Sequence, residues 1–419
     1  MTNDVVGGSP GVTAIAESTI NPKTGRPAGK LQGTLLLIGS CLPILGAVLL
    51  APILPILSKE FVNSPGADAL VPLILTIPAL MIAILAPFAG AIVDKLGRKR
   101  VLIWALLAYA VLGTMPLWLD TLNMIVLSRV GVGITEAFIM TCCTTLIADY
   151  FHGNKRNRYL GLQAMVTALA ATVFFAVGGA LGAAGWRTPF WLYAVSIIVA
   201  LLMLGAIWPV QQSEDGAERQ ARKLEPIRWR SLFLPSGVSI FGGVVFYTLI
   251  VELPYVLDGL GVTSTATIGI ATALASLATA IGAFLFRWIA RHGVKLLLPL
   301  AFGIAGVGML IVAFSGSVPV AVIGAVITSF GTGIMLPTLV TWAITRLSYE
   351  QRGRGTGLWT AALFFGEFIT PLIVLALTAL TGGLGPAIAV IGVLSLIAMI
   401  IMRVVLVRVP QPELAVATN

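Results

Sequence analysis

The chain has 419 residues, of which 58% are hydrophobic and 10% charged, and its mean hydropathy is +1.00. A soluble domain carries about half apolar and a quarter charged residues, so this composition excludes a water-soluble globule and places the chain in lipid. The net charge of +9 does not indicate nucleic acid, because no basic face with interleaved aromatics occurs outside the short polar connections.

Residues 1–30 are polar and bear Gly and Ser; they read as a cytoplasmic tail. The first apolar stretch is longer than a signal-peptide core and has no cleavage pattern, so nothing is expected to be removed. Apolar runs bounded by charge, Gly and Pro predict spans near 31–57, 70–93, 101–118, 122–148, 158–183 and 188–208, a first six-helix bundle over 31–208. The charged run 209–231 reads as a cytoplasmic linker. Spans near 232–255, 265–288, 294–314, 318–344, 355–380 and 385–407 form a second bundle over 232–408, followed by a cytoplasmic tail at 409–419. The expected fold is therefore all-α: twelve transmembrane helices in two bundles.

Lys95, Arg98, Lys99, Arg100, Lys155, Arg156, Arg158 and Arg219 to Arg230 fall in alternate connections, whereas the opposite ones offer little beyond Lys59 and Arg187. That asymmetry predicts both termini in the cytoplasm. Trp118, Trp186, Trp191, Trp208, Trp229 and Trp288 lie near span ends, where they are expected to anchor in the headgroup zone. Cys41, Cys142 and Cys143 fall inside apolar runs as small hydrophobes, with no disulfide or metal pattern.

The halves match. Arg156-Asn-Arg158-Tyr-Leu-Gly161-Leu162 precedes the fifth span and Arg352-Gly-Arg354-Gly-Thr-Gly357-Leu358 the eleventh, while Gly131-Val-Gly133 in the fourth span faces Gly331-Thr-Gly333 in the tenth. Two matches in the same order indicate a repeated six-helix unit with a cavity between its copies.

Charges inside apolar helices mark chemistry, since each costs about 2.5–3.5 kcal/mol at mid-membrane on insertion scales. Arg129 and Glu136 in the fourth span lie two helical turns apart on one face. An apolar surrounding favours a carboxyl's neutral form and a nearby arginine its ionised form, so Glu136 is a candidate proton carrier. Glu367 in the eleventh span is a second candidate. Glu252, before Pro254, reads as a solvated entrance residue, and Asp149 as an anchor for Arg156 or Arg158. Thr332, Thr341, Tyr247, Gln163 and Trp359 are candidate cavity residues, although hydroxyls in lipid often bond their own helix; with Arg129 and Glu136, Tyr247 and Trp359 form the expected substrate-binding set. No phosphate-cradling GxxxxGK[ST], HExxH or GxSxG occurs, and His152 and His292 lie in loops. Neither an enzyme nor direct ATP use is expected; no metal or cofactor is needed, and the proton gradient is the energy source.

The connection after the second span reads Gly90-Ala-Ile-Val-Asp94-Lys95-Leu-Gly97-Arg98-Lys99-Arg100. Gly90 is expected to permit close helix approach, and Arg98 to neutralise Asp94 or to reach a neighbour's carbonyls. With two six-helix halves, this stretch resembles the signature loop of the major facilitator superfamily, Gly-x-x-x-Asp-Arg/Lys-x-Gly-Arg-Arg/Lys. The resemblance covers roughly 31–408. It implies that the loop acid, here Asp94, docks against the start of the eleventh helix and helps hold an outward-open state, with Gly90, Asp94, Gly97 and Arg98 forming a conformational lock. The second half's Phe286-Arg287-Trp-Ile-Ala-Arg291-His292-Gly293 lacks the acid.

Leu45-Gly46 with Pro52-Ile-Leu-Pro55 resembles the first helix of drug/proton antiporters in that superfamily. Phe364-Phe365-Gly366-Glu367-Phe368-Ile369-Thr370-Pro371 is similar to an eleventh-helix phrase of bacterial efflux members, which carry Gln where Glu367 stands. The antiporter signature of the fifth helix departs here: its Gly-Pro step falls on Phe174 and Phe175. Arg129-x-x-x-Gly133-x-x-Glu136-Ala137 is similar instead to branches carrying organic anions or lysolipids. The resemblance thus implies a monomer in the inner (cytoplasmic) membrane, exporting amphipathic compounds by proton antiport. The alternative is proton-linked transport of an organic anion or lysolipid-like substrate, with Arg129 binding the anionic group.

Overall fold

The structure, a computed structural model, describes residues 25, 27–210, 229–347 and 351–408, with the backbone alone at 229–231, 352–353 and 407–408. The expected tails and the body of the 209–231 linker lie outside the described residues. Twelve helices are long and apolar enough to cross a membrane: α1 Lys30–Glu60, α2 Ala67–Leu96, α3 Arg98–Leu117, α4 Leu122–Tyr150, α5 Gly153–Gly182 and α6 Thr188–Ala206, then α7 Leu232–Gly259, α8 Thr265–His292, α9 Val294–Ala313, α10 Val318–Thr345, α11 Arg354–Thr381 and α12 Leu384–Leu406. The chain is a multi-pass membrane protein. α5 starts before the expected 158 because its first turns, through Lys155 to Arg158, are helical outside the apolar run.

Local chemistry shapes the helices. α1 is interrupted: Lys30–Val48 passes through a 3-10 turn at Ala51–Ile53 into Leu54–Glu60, where Pro52 and Pro55 supply no amide hydrogen. Between α2 and α3 the turn rests on Gly97 (φ 93°), and between α8 and α9 on Gly293 (φ 72°). Both conformations disfavour a Cβ, so the repeat keeps glycine at this corner even where the second half lacks the acid.

One apolar core lies mainly in α1 to α6 and reaches across to Tyr247, Val251 and Ala273, and a second lies within α7 to α12. The bundles meet chiefly through α5 on α8 and α2 on α11. Near the end of α5, a Cβ on Gly179 would collide with the Thr265 carbonyl and lie 2.7 Å from the Gly269 Cα, so the backbones of α5 and α8 touch directly.

This contact is at the end remote from both termini, and polar links surround it. Lys59 Nζ lies 2.6 Å from Asp258 Oδ1, Ser58 Oγ is 3.0 Å from the Tyr255 hydroxyl, and Tyr247 donates to the Ala47 carbonyl at 2.7 Å. Lys59 is 63% exposed; such a pair contributes about 0–1 kcal/mol, so packing rather than the ion pair holds the seal. Toward the termini α2 and α11 stay in contact at Gly357, but α5 is uncovered. No residue from 153 to 174 of α5 is buried, and burial begins at Phe175.

Trp118, Trp191 and Trp288 are exposed near span ends, as anchoring requires. Trp186 and Trp208 are not anchors: both are buried, Trp186 edge-on to Phe61 and Trp208 tilted against Tyr150. In Gly179→Val the branched side chain has no room against Thr265 and Gly269. The expected result is a longer spin-label distance between positions 59 and 258, with the population shifted toward separation at that end.

Candidate functional site

A cavity of about 320 Å³ lies between the bundles, on the terminal side of the seal. That volume is at the lower end of what drug-sized ligands occupy, roughly 300–1,000 Å³. Its wall is mainly apolar, with Ile44, Phe175, Phe246, Leu336 and Phe364 contributed by both halves. Hydroxyls of Thr167, Ser276, Thr279 and Ser329 are spaced around it, and one carboxyl, that of Glu367, belongs to the wall.

Glu367 is 5% exposed, and no hydrogen bond or ion pair joins it to another described residue. α11 can bring it here because Gly366 lies against the Ile240 carbonyl and Gly243 of α7, leaving no space for a side chain at that point of the crossing. Burying an ionised carboxyl without a partner costs several kcal/mol. A proton or a cationic group on the solute relieves the same cost. The cavity thus suits an apolar body carrying one cationic or hydrogen-bond-donating group.

Of the expected substrate residues, the structure brings only Tyr247 to this wall together with Glu367. Its hydroxyl is spent on the Ala47 carbonyl, so it presents a ring rather than a polar group. Trp359 packs on the second core and is not in the wall. Thr332 lines the cavity but donates to Ser329 O, and Thr341 donates to Pro337 O. Gln163 instead bridges Ser40 and Thr144.

Arg129 is 1% exposed and faces away from the cavity. Its Nη2 donates to the Leu112 and Gly113 carbonyls, each at 3.1 Å, and its guanidinium lies 5.0 Å from the Tyr193 ring centroid and 5.3 Å from that of Phe190. These carbonyls sit in the last turns of α3, just before Pro116 interrupts it, so the arginine fastens α3 and α6 to α4. The guanidinium is committed to this core rather than to a solute.

Glu136, also 1% exposed, points to α1. Its Oε1 occupies the space a Cβ on Gly46 would take and has no hydrogen-bond partner in the structure. Arg129 and Glu136 share a helix face but are not an ion pair. Glu252 corrects the sequence expectation outright: it is 5% exposed, not solvated, because the turn of α7 that carries it is covered when the far end is sealed.

At the termini end, Arg98 donates to Asp94 Oδ1 from Nε at 2.9 Å and from Nη2 at 2.7 Å, and its Nη1 to Asp149. One guanidinium thereby joins the end of α2, the start of α3 and the end of α4, and Asp149 pairs with it rather than with Arg156 or Arg158. Gly97 supplies the corner. Gly90 is not a close-approach site, since a Cβ there would meet nothing within 4 Å; the near contact between α2 and α11 is at Gly357, whose Cβ position is 3.2 Å from the Ala86 carbonyl. In the second half Arg287 has aromatic neighbours instead of an acid, with Trp288 at 4.0 Å and Phe284 at 4.7 Å.

The sequence reading missed most of the wall, including Phe246, Ser276, Thr279 and Leu363. Phe364, quoted for its resemblance, was the available signal.

A family model described as Major Facilitator Superfamily matches residues 36–265 and 236–418. Similar proteins include the class H tetracycline resistance protein of Pasteurella multocida, 30% identical over 169 residues, 40% of this chain and 42% of that protein. The class C tetracycline resistance protein of Escherichia coli is 29% identical over 222 residues (51% and 53%), and quinolone resistance protein NorA of Staphylococcus aureus 26% over 213 (49% and 54%). The chain spans about half the length of these relatives. Among solved structures, a bacterial homologue of the human lysosomal transporter Spinster superposes with a TM-score of 0.70 at 17% identity, covering 90% of this chain and 96% of that one. A D-xylose-proton symporter gives 0.72 at 17% identity, covering 88% and 96%. These likenesses show the fold.

The contact between Gly46 and Glu136 can be tested by a double-mutant cycle. Gly46→Ala should crowd the carboxyl and destabilise the protein by about 1–3 kcal/mol. Adding Glu136→Ala should recover most of that loss, measured as the thermal midpoint in detergent, whereas Glu136→Gln, of equal size, should not.

Proposed function

The chain belongs to the Major Facilitator Superfamily, and we propose that within it the protein exports small amphipathic organic compounds in exchange for protons, by alternating access. The observation that carries this reading is the unpartnered Glu367 carboxyl in the wall of an otherwise apolar cavity between two bundles. Relatives named for tetracycline and quinolone resistance support a drug-sized solute.

The Lys and Arg asymmetry puts both termini in the cytoplasm. The cavity then lies on the cytoplasmic side of the seal, and a solute enters it from the cytoplasm or inner leaflet. Glu367 binds the solute's polar group or a proton, but not both. Separation of α5 from α8 and of α1 from α7 exposes the carboxyl to the far side, where a proton displaces the solute. Return with the proton bound, and its release to the cytoplasm, resets the carrier.

Glu136 is the second proton site in this scheme. It abuts α1, the helix whose far end carries Ser58 and Lys59 of the seal. Its change of charge therefore acts on a helix that takes part in opening. Arg98, joined to Asp94 and Asp149, holds α2, α3 and α4 as one unit that moves together.

The test uses purified protein in liposomes with an acidic lumen and a panel of lipophilic cations, neutral compounds and organic acids. Wild-type protein should alkalinise the lumen when an amphipathic cation is added outside, and folded Glu367→Gln should lose that response. Full coupling in Glu367→Gln refutes the assignment, while a response confined to organic acids favours the proton-linked anion carrier.

A further inference from the structure

A second cavity, about 330 Å³, opens on the outer face of the second bundle between α9 and α12, near the ends that lie toward the termini. It is lined by Leu296, Leu300, Ile400 and Val404, all exposed, together with Met399 and Pro299. The only charged side chain in the lining is Arg403. Arg403 is exposed and forms no hydrogen bond or ion pair with another described residue.

An unpaired guanidinium on a lipid-facing surface is costly unless an anion meets it. The described residues of α8 to α10 and of α12 carry no Asp or Glu to pair with it, since the sequence has none between Asp258 and Glu350 or between Glu367 and Glu413. Among the described residues, the same end of this bundle also carries Arg287, Arg291 and Lys295. Arg403 lies five residues before Arg408, the last described residue of this helix. At 1.5 Å per residue it sits about 7 Å further into the bundle than Arg408.

We propose that this groove is a site for an anionic phospholipid of the leaflet on the side of the termini. Its phosphate pairs with Arg403, and one acyl chain lies along Leu296, Leu300, Ile400 and Val404. A free phosphate gains nothing from the apolar floor. A second copy of this chain would bring another arginine to face the first. The site is remote from Glu367 and independent of the transported solute.

The test is native mass spectrometry of the full-length protein, delipidated in detergent and titrated with phosphatidylglycerol or phosphatidylcholine. Wild type should bind one phosphatidylglycerol at lower concentration than phosphatidylcholine. Arg403→Gln should weaken phosphatidylglycerol about fivefold, the size expected for one basic residue near a membrane surface. Arg403→Lys should keep most of the affinity, and Leu300→Trp, which fills the groove, should lower binding of both lipids. Variants are compared only where they remain monodisperse with a wild-type thermal midpoint. Equal affinity for the two lipids, or phosphatidylglycerol binding unaltered by either Arg403→Gln or Leu300→Trp, overturns the proposal.

Discussion

Lipid hydrocarbon offers no hydrogen-bond partner, so a polar group at membrane depth must be satisfied within the protein or face a cavity. Most side chains here obey that constraint locally. Thr114, Thr272, Thr338 and Thr370 donate to the carbonyl four residues earlier in their own helix, while Tyr109 donates to the Leu42 carbonyl of α1 and Tyr150 to the Trp208 carbonyl just after α6. Arg129 donates to two carbonyls of α3 through Nη2, while its buried Nη1 has no partner. Glu136, Glu252 and Glu367 are the described membrane carboxyls that remain, each buried and without a hydrogen bond in this conformation.

The three stand at different places relative to the surfaces that must move. Glu367 belongs to the cavity wall, Glu136 to the contact of α4 with α1, and Glu252 to the end of α7 that closes against α1. The seal itself depends on backbone contact at Gly179 and Gly269, because close packing is what associates helices where the surrounding solvent is as apolar as they are. A seal built this way parts without leaving large unsatisfied polar surfaces. The Lys59 and Asp258 pair, largely exposed at the rim, orients the closed state more than it strengthens it.

The twelve spans, the two halves and the pairing of Asp94 with Arg98 were legible in the sequence, since length, apolarity and i, i+4 spacing determine them. Glu136 and Glu367 were legible as anomalies in apolar runs. What hydropathy does not encode is helix rotation, because a face toward lipid and a face toward the core are equally apolar. On α4, Leu127 and Ile134 are exposed while Ile125, Val132 and Ile139 are buried. Arg129 and Glu136 read as one site because they share a face of α4, but two turns of rise set the first against α3 and α6 and the second against α1. Gly90 read as the close-approach glycine, but the crossing of α2 with α11 puts that contact at Gly357. Glu252 read as solvated because it lies near a span end, but the closed bundles bury that end.

The central claim is that one carboxyl, Glu367, serves the proton and the solute in turn. The direct measurement is proton release on binding, recorded as the pH of weakly buffered detergent solution while a lipophilic cation is added to the purified protein. Up to about one proton should be released per ligand bound, a release lost in Glu367→Gln and retained in Glu252→Gln. Ligand binding with no proton release, or release undiminished in Glu367→Gln, would contradict it.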